Sequence, residues 1–221
     1  MNVLITGASR GIGLATAIQF LQKGHVVYGL DVEDSGITAT DDIAANYHHI
    51  RCDVTKLDDI VHIPNIQILI NNAGVQNTTK DIEVNLQGTM NVTELYLPYK
   101  SLQSIVMVAS TSAHTGAEFP EYAASKGGML AYTKNVAKRC AEFGCTCNSI
   151  SPGGVITELN RPVLHDDNKW IQIMELTPLK KWAFPEEIAE WIYFMSVVNK
   201  SMTGQDIIVD NGEMNNQTFV W

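Results

Sequence analysis

The opening of the chain restricts its fold more than any other stretch. Residues 3–6 are a short apolar run, and they enter Gly7-Ala8-Ser9-Arg10-Gly11-Ile12-Gly13, spaced T-G-x-x-x-G-x-G. An apolar stripe at helical spacing follows through Ile12, Ala15, Ile18, Phe20 and Leu21, and Lys23-Gly24 reads as its stop. Residues 25–30 are a second apolar strand, closed by Asp31. Strand, glycine loop, helix, strand is one βαβ unit, which calls for a parallel sheet with right-handed crossovers. Glycines in such a loop let the backbone turn tightly and approach a pyrophosphate, which sits on the amides of a helix N-terminus. The loop alone reads equally as an ordinary glycine-rich turn. Asp31 changes the balance, because a carboxylate there can accept hydrogen bonds from the adenosine ribose hydroxyls. Its charge repels a 2′-phosphate, which points to NAD over NADP. Arg10 argues the other way, as a base that could receive that phosphate. With Val32 and not an arginine after it, Asp31 is the stronger signal.

The alternation continues along the chain. Residues 47–54 read as a third strand with Asp53 near its end, and 56–63 as a short helix stopped by Pro64. Residues 66–70 form a fourth strand, with the apolar run of a strand buried on both faces. It leads into Asn71-Asn72-Ala73-Gly74, small and amide residues able to border a cofactor. A helix over about 80–99 contains Asn85, which on its own reads as a solvated or capped amide. Residues 103–110 are a fifth strand ending at Ser110, 121–143 a long helix, and 145–150 a sixth strand before Ser151-Pro152-Gly153-Gly154. From 155 to about 179 the pattern turns irregular, as in a substrate lid or a loosely packed helical insertion. Pro185 opens a helix to 198, and 207–209 is a last strand. The tail to Trp221 has no pattern and could reach a neighbouring subunit or fray. With no repeat or linker, residues 1–221 read as a single doubly wound α/β domain with helices on both faces. Ligands of such sheets bind beyond the C-terminal ends of the strands. Residues 7–13, Asp31, Asp53, 71–74 and Ser110 are therefore expected along one edge.

Residues 110–126 read STSAHTGAEFPEYAASK. Tyr122 and Lys126 lie four apart, on one face of a helix. A free tyrosine, with a pKa near 10, is a poor base at neutral pH, and a neighbouring ammonium favours its phenolate. Ser110 could hold a carbonyl oxygen while Tyr122 gives or takes its proton, an arrangement suited to alcohol and ketone chemistry. Taken alone, the pair also describes a half-buried ring beside a solvated charge.

Composition narrows the partners. A net charge of −9, with scattered Lys and Arg, argues against a nucleic-acid surface. No apolar stretch is long enough to span a bilayer. Residues 2–6 lead straight into the glycine loop, leaving no signal peptide to cleave. Cys52, Cys140, Cys145 and Cys147 are expected to be reduced, mostly buried thiols of a cytoplasmic protein, and no His/Cys set resembles a metal site.

The ordered set of motifs resembles the short-chain dehydrogenase/reductase family of the classical type. The matching stretches are TGASRGIG at 6–13, Asp31, CDVT at 52–55, NNAG at 71–74, Asn85, Ser110, YAASK at 122–126, PGGVIT at 152–157 and TGQDIIVDNG at 203–212. The resemblance implies a Rossmann-type domain with a seven-stranded parallel sheet, assembled as a homodimer or homotetramer on the helices that carry Asn85 and Tyr122. It makes Tyr122 the general acid/base and Lys126 its electrostatic partner, which also binds the nicotinamide ribose. It gives Ser110 the substrate oxygen, and Asn85 a water that leads protons from Lys126 to solvent. Gly7, Arg10, Gly11 and Ile12 would line the pyrophosphate, Asp53 and Val54 the adenine, and Asn72, with Ala73 and Gly74, the cofactor backbone. Val155 and Thr157, after Pro152 and Gly153, would contact the carboxamide. The chain departs from the family by its shortness and by VASTSAH around Ser110, where two adjacent serines are usual; Ser112 is a weaker candidate for the same role.

The leading expectation is an NAD-dependent oxidoreductase moving hydride between nicotinamide and a secondary alcohol or ketone. An NADPH-dependent 3-oxoacyl thioester reductase is the alternative that the loop sequence suggests. A non-catalytic cofactor-binding sensor is the alternative of another class, and the intact Ser–Tyr–Lys set speaks against it. Gln76, Ser112, His114, Phe119, Leu159 and Trp170 are candidate substrate contacts of mixed character; a histidine such as His114 is more often a surface residue than a catalytic one.

Overall fold

The computed structural model describes residues 1–38, 40, 42–117 and 119–215. The expectations for the tail to Trp221 lie outside them. Seven strands form one sheet: β1 (Asn2–Thr6), β2 (Val26–Asp31), β3 (Tyr47–Arg51), β4 (Ile68–Asn71), β5 (Ser104–Val108), β6 (Thr146–Pro152) and β7 (Asp206–Val209). Every pairing is parallel, in the order β3-β2-β1-β4-β5-β6-β7. The doubly wound sheet and its seven strands are as expected.

Strand periodicity sorts the core into two layers. Leu4, Leu69, Ile105 and Met107 point to one face, with Val92, Tyr96, Met129, Val136 and Cys140 from α2 (Thr89–Tyr96) and α4 (Pro120–Cys140). Val3, Ile5, Ile68, Ile70, Val106 and Val108 point to the other, where α1 (Gly11–Gln22) brings Ala17 and Phe20 and α7 (Pro185–Tyr193) brings Ile188 and Ile192. Each fully buried aliphatic side chain contributes about 1.5–3 kcal/mol. That is why the central strands are apolar on both sides. The edge strand β3, only partly buried, carries Tyr47, His48, His49 and Arg51.

Several boundaries move. β3 ends at Arg51, three residues before the expected limit, and the helix expected over 56–63 is a single turn, Leu57–Asp59. β5 stops at Val108, so Ser110 stands two residues beyond it. The helix containing Asn85 begins as a wide π-helical stretch, Ile82–Gly88, and narrows into α2. α3 (Ser112–Thr115) occupies the turn after Ser110. The irregular stretch holds α5 (Arg161–Leu164) and α6 (Asp167–Leu176), the latter capped by Asp166, whose side chain accepts the Lys169 N–H at 3.1 Å. All four cysteines are free and buried. Among the described residues no helix is long and apolar enough to cross a membrane.

Candidate active site

The C-terminal ends of the strands open into a cleft of about 670 Å³. Its floor is the gap between β1 and β4, where the chain direction across the sheet reverses. Asn72 joins the two sides. Its amide nitrogen donates to the carbonyls of Thr6 at 3.1 Å and Gly7 at 2.9 Å, and the N–H groups of Asn72 and Ala73 both donate to Thr6 Oγ1 at 3.0 Å. Gly13 is required by that closeness: a Cβ there would fall 1.9 Å from the Gly7 carbonyl oxygen. No side chain caps α1, whose N-cap is Arg10, and Gly11 and Ile12 of its first turn line the cleft. Uncapped first-turn amides, with no acidic residue in that turn, suit an anion.

Asp31 is nearly buried at the end of β2. It accepts the N–H of Ser9 at 2.9 Å and of Glu33 at 3.0 Å, one on each carboxylate oxygen, which fixes its orientation and leaves each oxygen a further lone pair. Asp53 is held by Thr55, whose N–H and hydroxyl donate to Oδ1 at 3.0 and 2.7 Å, and this hydroxyl contact is the first cause of its lowered pKa.

Across the cleft, Lys126 is buried. Its Nζ donates to the Val108 carbonyl at 2.8 Å and lies 5.7 Å from the centre of the Tyr122 ring. Burial brings its pKa down to about 8, partly opposed by the charge of Asp81. Ser110 Oγ donates to Ser112 Oγ at 3.2 Å and accepts the Ser112 N–H at 3.2 Å. These groups suit proton transfer: a phenol beside a buried ammonium, with a hydroxyl on the same wall.

Gly7, Arg10, Gly11, Ile12, Asp31, Asp53, Val54, Asn72, Ala73, Gly74, Ser110, Tyr122, Lys126, Pro152, Gly153, Val155 and Thr157 all line this one cleft. Asn85 does not. It is fully buried behind the wall, its Oδ1 accepting the Val75 N–H at 2.8 Å and its Nδ2 donating to the Val75 carbonyl at 2.9 Å and Ser125 Oγ at 3.0 Å. Gly74 separates it from Lys126, since a Cβ on Gly74 would meet Asn85 Oδ1 at 3.2 Å and Lys126 Nζ at 3.5 Å. Gln76 and Leu159 are on the wall, whereas Ser112, His114, Phe119 and Trp170 are not. His114 Nε2 instead lies 2.8 Å from Asp206 Oδ2. The wall also holds Thr177, Trp182 and Glu213, which sequence reading missed. They come from separate segments with no local spacing to mark them.

A doubly wound sheet with a glycine-lined cleft at its switch point and a Ser–Tyr–Lys wall defines a dinucleotide-binding oxidoreductase. The family model "short chain dehydrogenase" matches residues 1–168. A 3-oxoacyl-[acyl-carrier-protein] reductase of Thermotoga maritima is 32% identical, over 95% of this chain and 96% of the relative. An Agrobacterium tumefaciens structure with bound NADP, provisionally assigned as a 2-deoxy-d-gluconate 3-dehydrogenase, aligns with TM-score 0.87 at 26% identity, over 97% of this chain and 96% of that one. The ligand-free aldohexose dehydrogenase of Thermoplasma acidophilum aligns with TM-score 0.86 at 26% identity, over 100% and 96%. The chain belongs to the short-chain dehydrogenase/reductase family of oxidoreductases.

Proposed function

We propose that this protein interconverts a secondary alcohol and its ketone with NAD as the preferred hydride carrier. The carrying observation is that Ser110, Tyr122 and Lys126 share one cleft with the glycine loop and Asp31. Residues 1–221 would act as one nucleotide-binding domain. Gly7, Arg10, Gly11 and Ile12 hold the pyrophosphate, Asp31 the adenosine ribose, and Asp53 and Val54 the adenine. Asn72, Ala73 and Gly74 flank the cofactor's backbone, while Pro152, Gly153, Val155 and Thr157 border its carboxamide. When bound, the nicotinamide ring supplies or accepts the hydride.

Ser110 Oγ orients the substrate oxygen. Tyr122 gives that oxygen its proton in reduction and takes it in oxidation. Lys126, with its pKa near 8, stays largely protonated at neutral pH and favours the phenolate by its charge. Two of its three ammonium protons remain for the nicotinamide ribose and the proton path, since one goes to Val108. Asn85, with its amide engaged by Val75 and Ser125, serves that path by fixing its wall. Asp31 supports NAD, since both its oxygens face hydroxyl donors better than a phosphate. Buried free thiols support a cytoplasmic setting, and the family resemblance a homodimer or homotetramer.

Tyr122→Phe tests the reading. Turnover of secondary alcohols and ketones, followed at the nicotinamide absorbance band, should vanish while NADH binding persists. Turnover retained by the variant would remove Tyr122 from the mechanism. A second reading, NADPH-dependent reduction of a 3-oxoacyl thioester, is favoured by the Thermotoga maritima relative. Tighter NADPH than NADH binding, with turnover of a 3-oxoacyl thioester, would promote it.

A further inference from the structure

Asp81 is 1% exposed, and the chemistry above gives it no task. It stands at the N-cap of the π-helical stretch Ile82–Gly88, and the loop after β4 closes onto it. Its Oδ2 accepts the Asn77 N–H at 3.0 Å, and its Oδ1 accepts the Thr78 N–H at 3.0 Å and the Thr78 hydroxyl at 2.7 Å. The side chain only accepts, as a carboxylate does. These bonds hold the loop but bring no positive charge. Among the described residues Asp81 is in no ion pair.

Lys126 has the converse deficit. Its ammonium is buried, its hydrogen bond goes to the neutral carbonyl of Val108, and it is likewise in no ion pair among the described residues. The two charges share one wall. Asn85 follows Asp81 by four residues, so both side chains lie on one face of the helix, where both are buried and both bind the loop over residues 75–78. Lys126 Nζ and Asn85 Oδ1 in turn lie within 3.5 Å of a single point, that of a Cβ on Gly74. About one turn of helix and one glycine therefore separate the carboxylate from the ammonium. The groups that face Nζ are the Val108 carbonyl from β5, Gly74 from the loop, Tyr122 from α4, and Asn85 and Asp81 from the π-helical stretch. Of these only Tyr122 and Asp81 titrate; Lys80, also on the cleft, is exposed. In a wall that excludes water, opposite charges act on each other beyond hydrogen-bond reach. Burial brings the Lys126 pKa down to about 8, and the charge of Asp81 opposes that fall.

We propose that Asp81 is a positioning residue for proton transfer: its buried charge keeps Lys126 protonated at neutral pH, and through Lys126 it supports the Tyr122 phenolate. The consequence for catalysis rests on the hydride-transfer reading of the cleft, whereas the coupling of the two charges belongs to the cofactor-free chain.

The test compares four cofactor-free proteins: wild type, Asp81→Asn, Lys126→Met and the double variant. Urea unfolding across the pH range gives the stability of wild type relative to Lys126→Met, and of Asp81→Asn relative to the double variant. Bonds that Asp81 gives the loop cancel within each comparison, which leaves the titration of Lys126. In the first comparison stability should begin to rise with pH near 8, where the folded lysine loses its proton. In the second the rise should begin about one pH unit lower, a tenfold loss of proton affinity. A purely structural Asp81 predicts the opposite sign, since a loosened loop admits water and returns the lysine towards its ordinary pKa. An onset that is unmoved or moved upward overturns the proposal. Asp81→Ser, whose hydroxyl can still accept an N–H from the loop, is a second neutral variant and should show the same downward shift. In the enzyme with NADH, the high-pH fall of kcat/KM for ketone reduction should also begin about one unit lower in Asp81→Asn, and an unmoved limb overturns the proposal. If wild type turns over no ketone, the hydride-transfer reading fails by itself, and the unfolding titration still decides the coupling.

Discussion

Replacing Lys126 by methionine should stabilise the cofactor-free protein at neutral pH while abolishing its turnover. The ammonium is buried, and burial is the first cause of its fall from 10.5 to about 8. The unfolded chain binds this proton more tightly than the folded one. Stability therefore rises with pH between about 8 and 10.5, and below about 8 the burial penalty stands in full. That interval corresponds to about 3 kcal/mol. Methionine, similar in length and apolar, removes the penalty but also the hydrogen bond to Val108, a loss of about 1–2 kcal/mol. The variant should gain about 1–2 kcal/mol at pH 7 and lose about as much at pH 10.5, where the wild-type lysine is neutral. Urea unfolding of both proteins without cofactor, at the two pH values, gives the difference directly. A stability difference independent of pH would refute the account, because it would mean that Lys126 carries the same charge and hydration folded as unfolded.

Two further outcomes follow from the cofactor half of the cleft. Asp31→Ala removes one negative charge where a 2′-phosphate would lie, and paired titrations should show the NADPH-to-NADH affinity ratio rising by about ten- to a hundredfold; an unchanged ratio would assign cofactor choice to Arg10. Gly13→Ala sets a methyl 1.9 Å from the Gly7 carbonyl and 2.5 Å from the Asn72 amide nitrogen. Backbone cannot yield there as a side chain could, so urea unfolding should show a loss of about 3 kcal/mol, with weakened NADH binding, and wild-type values for both would refute the packing argument.

The parts of the site that were legible in the sequence are those written in local spacing. Tyr122 and Lys126 announce themselves four residues apart, and the glycine loop sits between an apolar strand and an apolar helix face. The two-sided burial of β4 and β5 shows as apolar runs. The pattern overextends β3 because Cys52 and Val54 continue its alternation, yet they leave the sheet to pack in the core beneath α2. α6 is hidden in an irregular-looking stretch because its apolar residues are interleaved with polar ones and none of them is buried; the Asp166 cap is its signal. Asn85 was legible as a family position, but its task of pinning residue 75 to α4 depends on chain reversals that no local pattern records. Trp182 and Glu213 were invisible for the same reason. Thirty-one residues apart, they meet only because both pack on the turn after β6.

The sheet order carries a consequence for the birth of the chain. β1 lies at the centre, paired on one side with β2, only a helix away, and on the other with β4, where Val3 meets Ile68. Its first neighbour can arrive early and its second cannot, because closing so long a loop is slow and unfavourable until many contacts reward it. A nascent chain that has not yet delivered residues 68–71 therefore presents one bare edge of Val3, Leu4 and Ile5, an apolar template for pairing with another chain. The step that opens the cofactor cleft is thus also the step that ends the protein's exposure to self-association. Translation pausing in that window would be more harmful than pausing after it.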